Sequence, residues 1–317
     1  MLHGFPEHWW QWHEVAPAVA AAGYRVLCPD LRGAGWTTAD DPRIDRETRL
    51  RDLLALLDAL GVERAHLVSH DMGVITAMQL TYDHPERVRT AVQLSVPPGF
   101  FRFTPRLAPA FEHLPPLIWH RRGASLRGIF SPRYAARPMS PETVDAHLAP
   151  FARTEIDAAV RPLTRRMVVA EALRMMRGAY RTRRLTVPTL VVYGRRDLPT
   201  TEELMHRICP DPDRYADRLE LAWVDDAAHF ITDDAPRTSP RSRWTGSGAP
   251  RDVRGQDRTR TARSATPTAS TAAPATTLAS GSVTTSATQP TAPSACSARG
   301  YRRCGALWRS AERFATR

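Results

Sequence analysis

Asp71, Asp197 and His229 combine residue types and settings suited to nucleophilic catalysis. Asp71 sits in "LVSHDMG", where an apolar strand-like run passes directly into a helix-like one. A chain that doubles back so sharply needs small residues two before and two after the apex, here Ser69 and Gly73. Such a turn lifts the apex side chain above the sheet and aims helix N-terminal N–H groups at it. The competing reading of Asp71 is an ordinary helix N-cap, a position Asp favours. Asp197 follows the apolar run "VVYG", and His229 follows "LELAWV" in the loop "DDAAHF". Asp225 and Asp226 are rival acids, but they precede His229 in its own loop, and "VQLSVPPG" ends without an acid. Asp197 is therefore the expected partner that orients the imidazole.

A further motif is "HGFPE" at His3–Glu7, which by itself could be a loop with a cis-proline turn. Taken in order, HGFP, "DLRGAG", "SHDMG" and a late Asp and His resemble the α/β-hydrolase superfamily over residues 1–236, and more narrowly its epoxide-hydrolase branch. The order nucleophile, acid, histidine is the one that fold uses. The resemblance implies that Asp71 is the nucleophile, that His229 oriented by Asp197 activates water, and that the backbone N–H groups of Phe5 and Met72 form the oxyanion hole. His3, Gly4, Pro6, His70 and Gly73 support the two turns. It also implies cap tyrosines that donate to the opening oxirane. "GAYRTRR" nominates Tyr180, with Tyr134 of "SPRYAARP" as the second candidate. Trp9, Trp36 and Phe100 are candidate pocket walls.

The chain departs from that pattern in several places. Met72 stands where Trp is usual after the nucleophile in haloalkane dehalogenases and Arg in fluoroacetate dehalogenases. Its side chain has no N–H to hold a halide or a carboxylate. Ser69 and Val74 replace usual glycines, and Val74 could crowd the helix against its strand. The alternatives to epoxide hydrolysis are dehalogenation, another α/β-hydrolase reaction with a repurposed Asp, and an inactive relative.

These groups need a scaffold, and the hydrophobic patterning supplies one. "YRVLCPD", "AHLVS", "RTAVQLS", "PTLVVYG" and "LELAWV" read as buried strands. "EVAPAVAAAG", "DRETRLRDLLALLDALG", "MGVITAMQLTYDHP" and "TEELMHRI" read as helices. Alternation of continuous apolar strands with helices predicts an α/β fold, a parallel sheet covered on both faces. The core is expected at 1–97 and 186–236. The Pro-broken, Arg-rich insertion at 98–185 is expected to be a helical cap over the strand ends, where open α/β sheets bind ligands.

All 44 basic residues of the 317 are Arg, and the formal charge is +11. Residues 1–236 hold 30 Arg against 30 Asp plus Glu, so the excess lies wholly in 237–317. That Ser/Thr/Ala/Pro/Arg-rich segment has no apolar period and is expected to be a disordered tail. Its scattered Arg make nucleic-acid binding the lesser reading. Arg without Lys suggests a GC-rich coding sequence in which a slipped reading frame yields such text. Only Met1 and Leu2 precede His3, where the family places strands, so the N-terminal strands are expected to be missing. Cys28, Cys209, Cys296 and Cys304 lack the spacing of a zinc site or a disulfide framework. No apolar run spans a membrane. The expectation is a cytoplasmic enzyme without cofactor or metal, acting with water on a small apolar epoxide and binding neither nucleic acid nor membrane.

Overall fold

A computed structural model describes residues 1–236 and the backbone of 241–242. The chain enters through a short turn into helix α1 (Ala16–Ala21), which Gly23 ends at φ +92°. Helix α2 (Arg46–Ala59) starts where the Asp45 carboxylate accepts the Thr48 N–H at 2.7 Å, and it stops at Gly61, φ +63°. Its Leu50, Leu53 and Leu57 stripe packs on Leu67, Ala77 and Leu80. Strand β1 (Ala65–His70) runs into helix α3 (Met72–Asp83), which is buried along nearly its whole length. Strand β2 (Val88–Leu94) follows. A long crossover then carries the short helices α4 (Leu114–Ile118), α5 (Pro141–Leu148), α6 (Thr154–Pro162) and α7 (Ala170–Met176), with a π-helical stretch at Leu163–Val169 between the last two. Strand β3 (Thr189–Gly194), helix α8 (Glu202–Ile208), strand β4 (Leu219–Val224) and the single turn α9 (Ile231–Asp234) complete the alternation.

The sheet order is β1-β2-β3-β4, all parallel, extended by β5 (Arg241–Ser242), which pairs antiparallel with β4. Side chains alternate between the two faces. Val191 and Tyr193 of β3 pack with Val74 and Met78 of α3 and with Met205 of α8, whereas Leu190 and Val192 pack with Trp12, Val15 and Val19. Both faces are thus covered, as the continuous apolar strands required. Val74 does not crowd the helix; it is a member of that packed cluster.

One expected strand does not form. "YRVLCPD" lies outside the sheet, in irregular backbone. Leu2 bridges to β1, its N–H donating to Val68 O at 2.8 Å and its carbonyl accepting the His70 N–H at 3.0 Å. The Met1 ammonium reaches Leu27 O at 2.5 Å. Leu2 thus satisfies the edge of β1 near the turn. Of the expected tail, only 241–242 are described, and their backbone pairs with β4; the rest of 237–317 lies outside the described residues.

The turn after β1 demands glycine at position 73. A Cβ there would lie 2.4 Å from Leu2 O and 2.5 Å from His3 O, both backbone atoms. Gly73→Ala should therefore destabilise the fold by roughly 1–3 kcal/mol. Gly128→Ala, which meets nothing within 4 Å, should leave the melting temperature unchanged. Equal melting temperatures for the two variants would contradict this account of the turn.

Candidate active site

The backbone at Asp71 has φ +43° and ψ −118°, outside the regions an L-residue favours, and its side chain makes no cap hydrogen bond to α3. The usual N-cap reading therefore fails: Asp71 occupies the cap position, but its carboxylate meets only the Met72 amide of the helix and turns toward Phe5 and His229. Asp71 Oδ2 accepts the Phe5 N–H at 3.0 Å, and Oδ1 lies 3.7 Å from His229 Nε2. On the other side of the ring, His229 Nδ1 lies 3.4 Å from Asp197 Oδ2. Asp225 and Asp226 pair instead with Arg195 and Arg196. The structure thus brings Asp71, His229 and Asp197 into one line, at the carboxyl ends of β1, β4 and β3.

Charge follows from this line. Burial alone would raise the Asp71 carboxyl. The imidazoles of His229 and His70 and the Met72 amide outweigh it and hold Asp71 well below the usual carboxylate range. Burial would lower His229, yet Asp197 first and then Asp71 raise it well above an ordinary histidine.

The loop carrying His229 is fixed by its own carbonyl. That oxygen takes a bond from Ser95 Oγ at 2.9 Å and lies 2.9 Å from His70 Nε2. His70 is fully buried against Glu7, with Nδ1 2.7 Å from Oε2. Burial disfavours its charge, but Glu7 raises it above the ordinary value. A protonated His70 can then donate to both Glu7 and the His229 carbonyl. His3 has a different role. Burial pushes it down to about 3, and the neutral ring accepts the Leu31 N–H at Nε2, 2.9 Å away. Gly4 leaves room for this packing, since a Cβ there would meet Glu7 Oε2, His70 Nδ1 and the Asp71 Cβ within 2.9 Å. Phe5–Pro6 is a cis peptide.

A cavity of about 170 Å³ opens on the Asp71 carboxylate, walled mainly by apolar side chains such as Ile75, Phe101, Leu107, Leu117 and Met175. An apolar cavity of roughly 150 Å³ holds a molecule of benzene's size. Phe5, Met72, Asp197 and His229 also line it. Several expected residues fall elsewhere. Trp9 and Trp36 are 43% and 52% exposed, and Asp30 joins their loops by accepting both backbone N–H groups. Phe100 is buried against Tyr215, and its neighbour Phe101 takes the cavity wall.

The two tyrosines fall in different places. Tyr180 is buried behind the cavity, its hydroxyl donating to Glu171, and Arg46 pairs with the same carboxylate at 3.0 Å. Burial and the Glu171 charge raise the Tyr180 hydroxyl's pKa. Tyr134 lines the cavity, with its ring 6.5 Å from that of His229. The His229 N–H donates to the Tyr134 carbonyl at 2.9 Å, so backbone pairing sets this spacing. Sequence reasoning missed His113, Ser95 and Glu171, which also line the cavity. Ser95 has φ +62°, and His113 sits in an irregular Pro-rich stretch; neither position carries a periodic signal.

The profile of the alpha/beta hydrolase fold matches residues 1–236, so the chain belongs to that family. Among curated relatives, epoxide hydrolase B of Mycobacterium tuberculosis is 40% identical over 101 residues, 31% of this chain and 28% of that protein. Epoxide hydrolase 3 of Siraitia grosvenorii is 41% identical over 110 residues, 33% of each chain. The matched segment thus spans a third or less of these curated relatives' length. Among solved structures, epoxide hydrolase VrEH1 from Vigna radiata is 26% identical with a TM-score of 0.57, over 74% of this chain and 85% of that one. Epoxide hydrolase CorEH, at 22% identity and TM-score 0.61 over 74% and 85%, is similar in fold.

The charge balance around His229 is testable by NMR titration. Asp197→Asn removes the largest influence raising the imidazole, so its pKa should fall toward the ordinary ~6.5. An unchanged, high value in the variant would show that Asp197 does not act on this ring.

Proposed function

We propose that the protein hydrolyses epoxides to diols through a covalent ester on Asp71. The observation that carries this reading is the Asp71 carboxylate. It sits at a strained apex, does not cap the helix it precedes, and is held ionised in the wall of an apolar cavity. The similarity to epoxide hydrolases supports the same substrate class.

In the first step an Asp71 oxygen attacks one ring carbon and the carbon–oxygen bond breaks, leaving an alkoxide. Tyr134 is the donor that assists it. His113 shares the cavity wall, but burial lowers it toward the neutral form and its ring bonds the Ala110 carbonyl. A neutral imidazole that donates one N–H to a carbonyl has only an acceptor nitrogen left. In the second step His229 takes a proton from water, and the hydroxide attacks the ester carbonyl. Phe5 and Met72 N–H groups hold the oxyanion, which collapses to free diol and Asp71. The protons balance: Tyr134 protonates the first alkoxide, the His229 imidazolium passes the proton taken from water to the second, and the proton left on the Asp71 carboxyl returns to Tyr134, so the net change is addition of one water.

Esterification also neutralises Asp71, removing one of the charges that raise His229. The imidazole therefore holds its proton less tightly and reaches the neutral form more readily at the stage where it must act as a base. With the pKa raised in the resting enzyme, His229 is protonated below it. Ester hydrolysis should accordingly fall on the acid side, through a pKa lower than that of the resting enzyme.

A single turnover with excess enzyme and a terminal epoxide in heavy-oxygen water tests the scheme. The label should enter Asp71; a labelled diol with unlabelled Asp71, or halide release from haloalkanes with no diol from epoxides, would overturn it. Tyr134→Phe should lose roughly 10²-fold in ester formation, and Tyr180→Phe less. The opposite ranking would return the acid role to Tyr180.

A further inference from the structure

Behind the catalytic line, on the side of the His70–Glu7 pair, lies a second cluster that the hydrolytic scheme does not use. Glu7, His147 and Asp233 each offer a ligand atom, and these atoms lie within 4.8 Å of one another. The residues come from three separate parts of the fold: the loop after the cis-proline, the last turn of α5, and α9. His147 Nε2 is 3.2 Å from Asp233 Oδ1. Two ligands bound to one tetrahedral zinc at its usual bond lengths are about 3.3 Å apart, so this edge already has the right length.

The environment is arranged as a metal site would require. Glu7 and His147 side chains are fully buried, and Asp233 is nearly so. Glu7 spends Oε2 on His70, while its Oε1 is buried with no hydrogen-bond partner among the described residues. Unpaired buried polar atoms are costly and ask for a water or an ion. Asp233 is oriented by a contact behind it: Thr232 Oγ1 lies 3.2 Å from Oδ2, and Gln11 donates to that same hydroxyl at 3.2 Å. Such outer contacts orient metal ligands. The His147 ring is held between aromatic faces, stacked on Phe130 at 5.4 Å and edge-on to Trp10 at 5.2 Å.

We propose that Glu7, His147 and Asp233 form a site for a divalent transition-metal ion of the zinc type, with water as the fourth ligand. The donor set, one imidazole and two carboxylates, suits zinc, which takes nitrogen and oxygen ligands in a four-coordinate shell. Glu7 would close on the His147–Asp233 edge through its unpaired oxygen. The ion would tie α5 to the sheet-bound loops and, through Glu7 and His70, stiffen the carbonyl that holds the His229 loop. Its effect on turnover is indirect, since none of the three residues reaches Asp71.

The test uses the full chain stripped with a chelator and titrated with Zn²⁺ by calorimetry. One equivalent should bind with micromolar or tighter affinity and raise the melting temperature. His147→Gln and Asp233→Asn should each weaken binding at least tenfold, while Asp71→Asn should not. Because a buried His147 variant could fail to fold, Co²⁺ on the unaltered chain gives a second readout. Its visible absorption should have the intensity of a four-coordinate site and vanish on addition of Zn²⁺. No uptake at micromolar Zn²⁺ would overturn the site and leave a trapped water or a proton as the occupant. Binding lost in Asp71→Asn but kept in Asp233→Asn would also overturn it, by moving the ion to the catalytic line.

Discussion

The conformation of one residue governs the geometry of the site. A non-glycine residue at φ +43° costs of order 1–3 kcal/mol and persists only where its surroundings fix it. Here they do. The start of α3 presses on the Leu2 and His3 carbonyls so closely that only Gly73 fits. The His70 N–H bonds Leu2, and the Asp71 N–H bonds Leu94 of β2. The strain has a chemical consequence. A relaxed N-cap would spend the Asp71 carboxylate on its own helix, as Asp45 does at α2. The strained turn releases it to the Phe5 N–H and the His229 ring.

Around that carboxylate, acidic and basic side chains alternate. Glu7 and His70 are sealed in the interior, His229 and Asp71 border the cavity, and Asp197 closes the line. Each buried charge has an opposite neighbour, which is what makes its burial tolerable. The same pairs fix backbone: His70 and Ser95 both engage the His229 carbonyl, so His229 is held by its main chain as well as by Asp197. Preorganisation of this kind avoids paying reorientation at each step of a reaction.

Much of this was legible in the sequence because it rests on local rules. The turn at Asp71 announces itself through small flanking residues between a strand and a helix, and α2 through Asp45, its leucine stripe and Gly61. His229 and Asp197 were legible because each follows an apolar run. What the sequence could not show depends on tertiary reach. Tyr180 looked the better acid from its neighbours, yet Glu171 and Arg46 hold it behind the cavity, and only the fold brings those three together. Residue type suggests Trp9 and Trp36 as pocket walls, but the fold leaves both side chains exposed, in loops joined through Asp30. "YRVLCPD" has strand propensity and no ladder to join, since propensity does not supply a partner.

The central claim is that Asp71 forms a bond to substrate and that His229 acts only afterwards. His229→Gln keeps the nucleophile and removes the base, so the ester should form and persist. The intact mass of this variant after incubation with a terminal epoxide should rise by the mass of one epoxide, with the adduct on the peptide containing Asp71. An unchanged mass, or an adduct on another residue, would contradict the account.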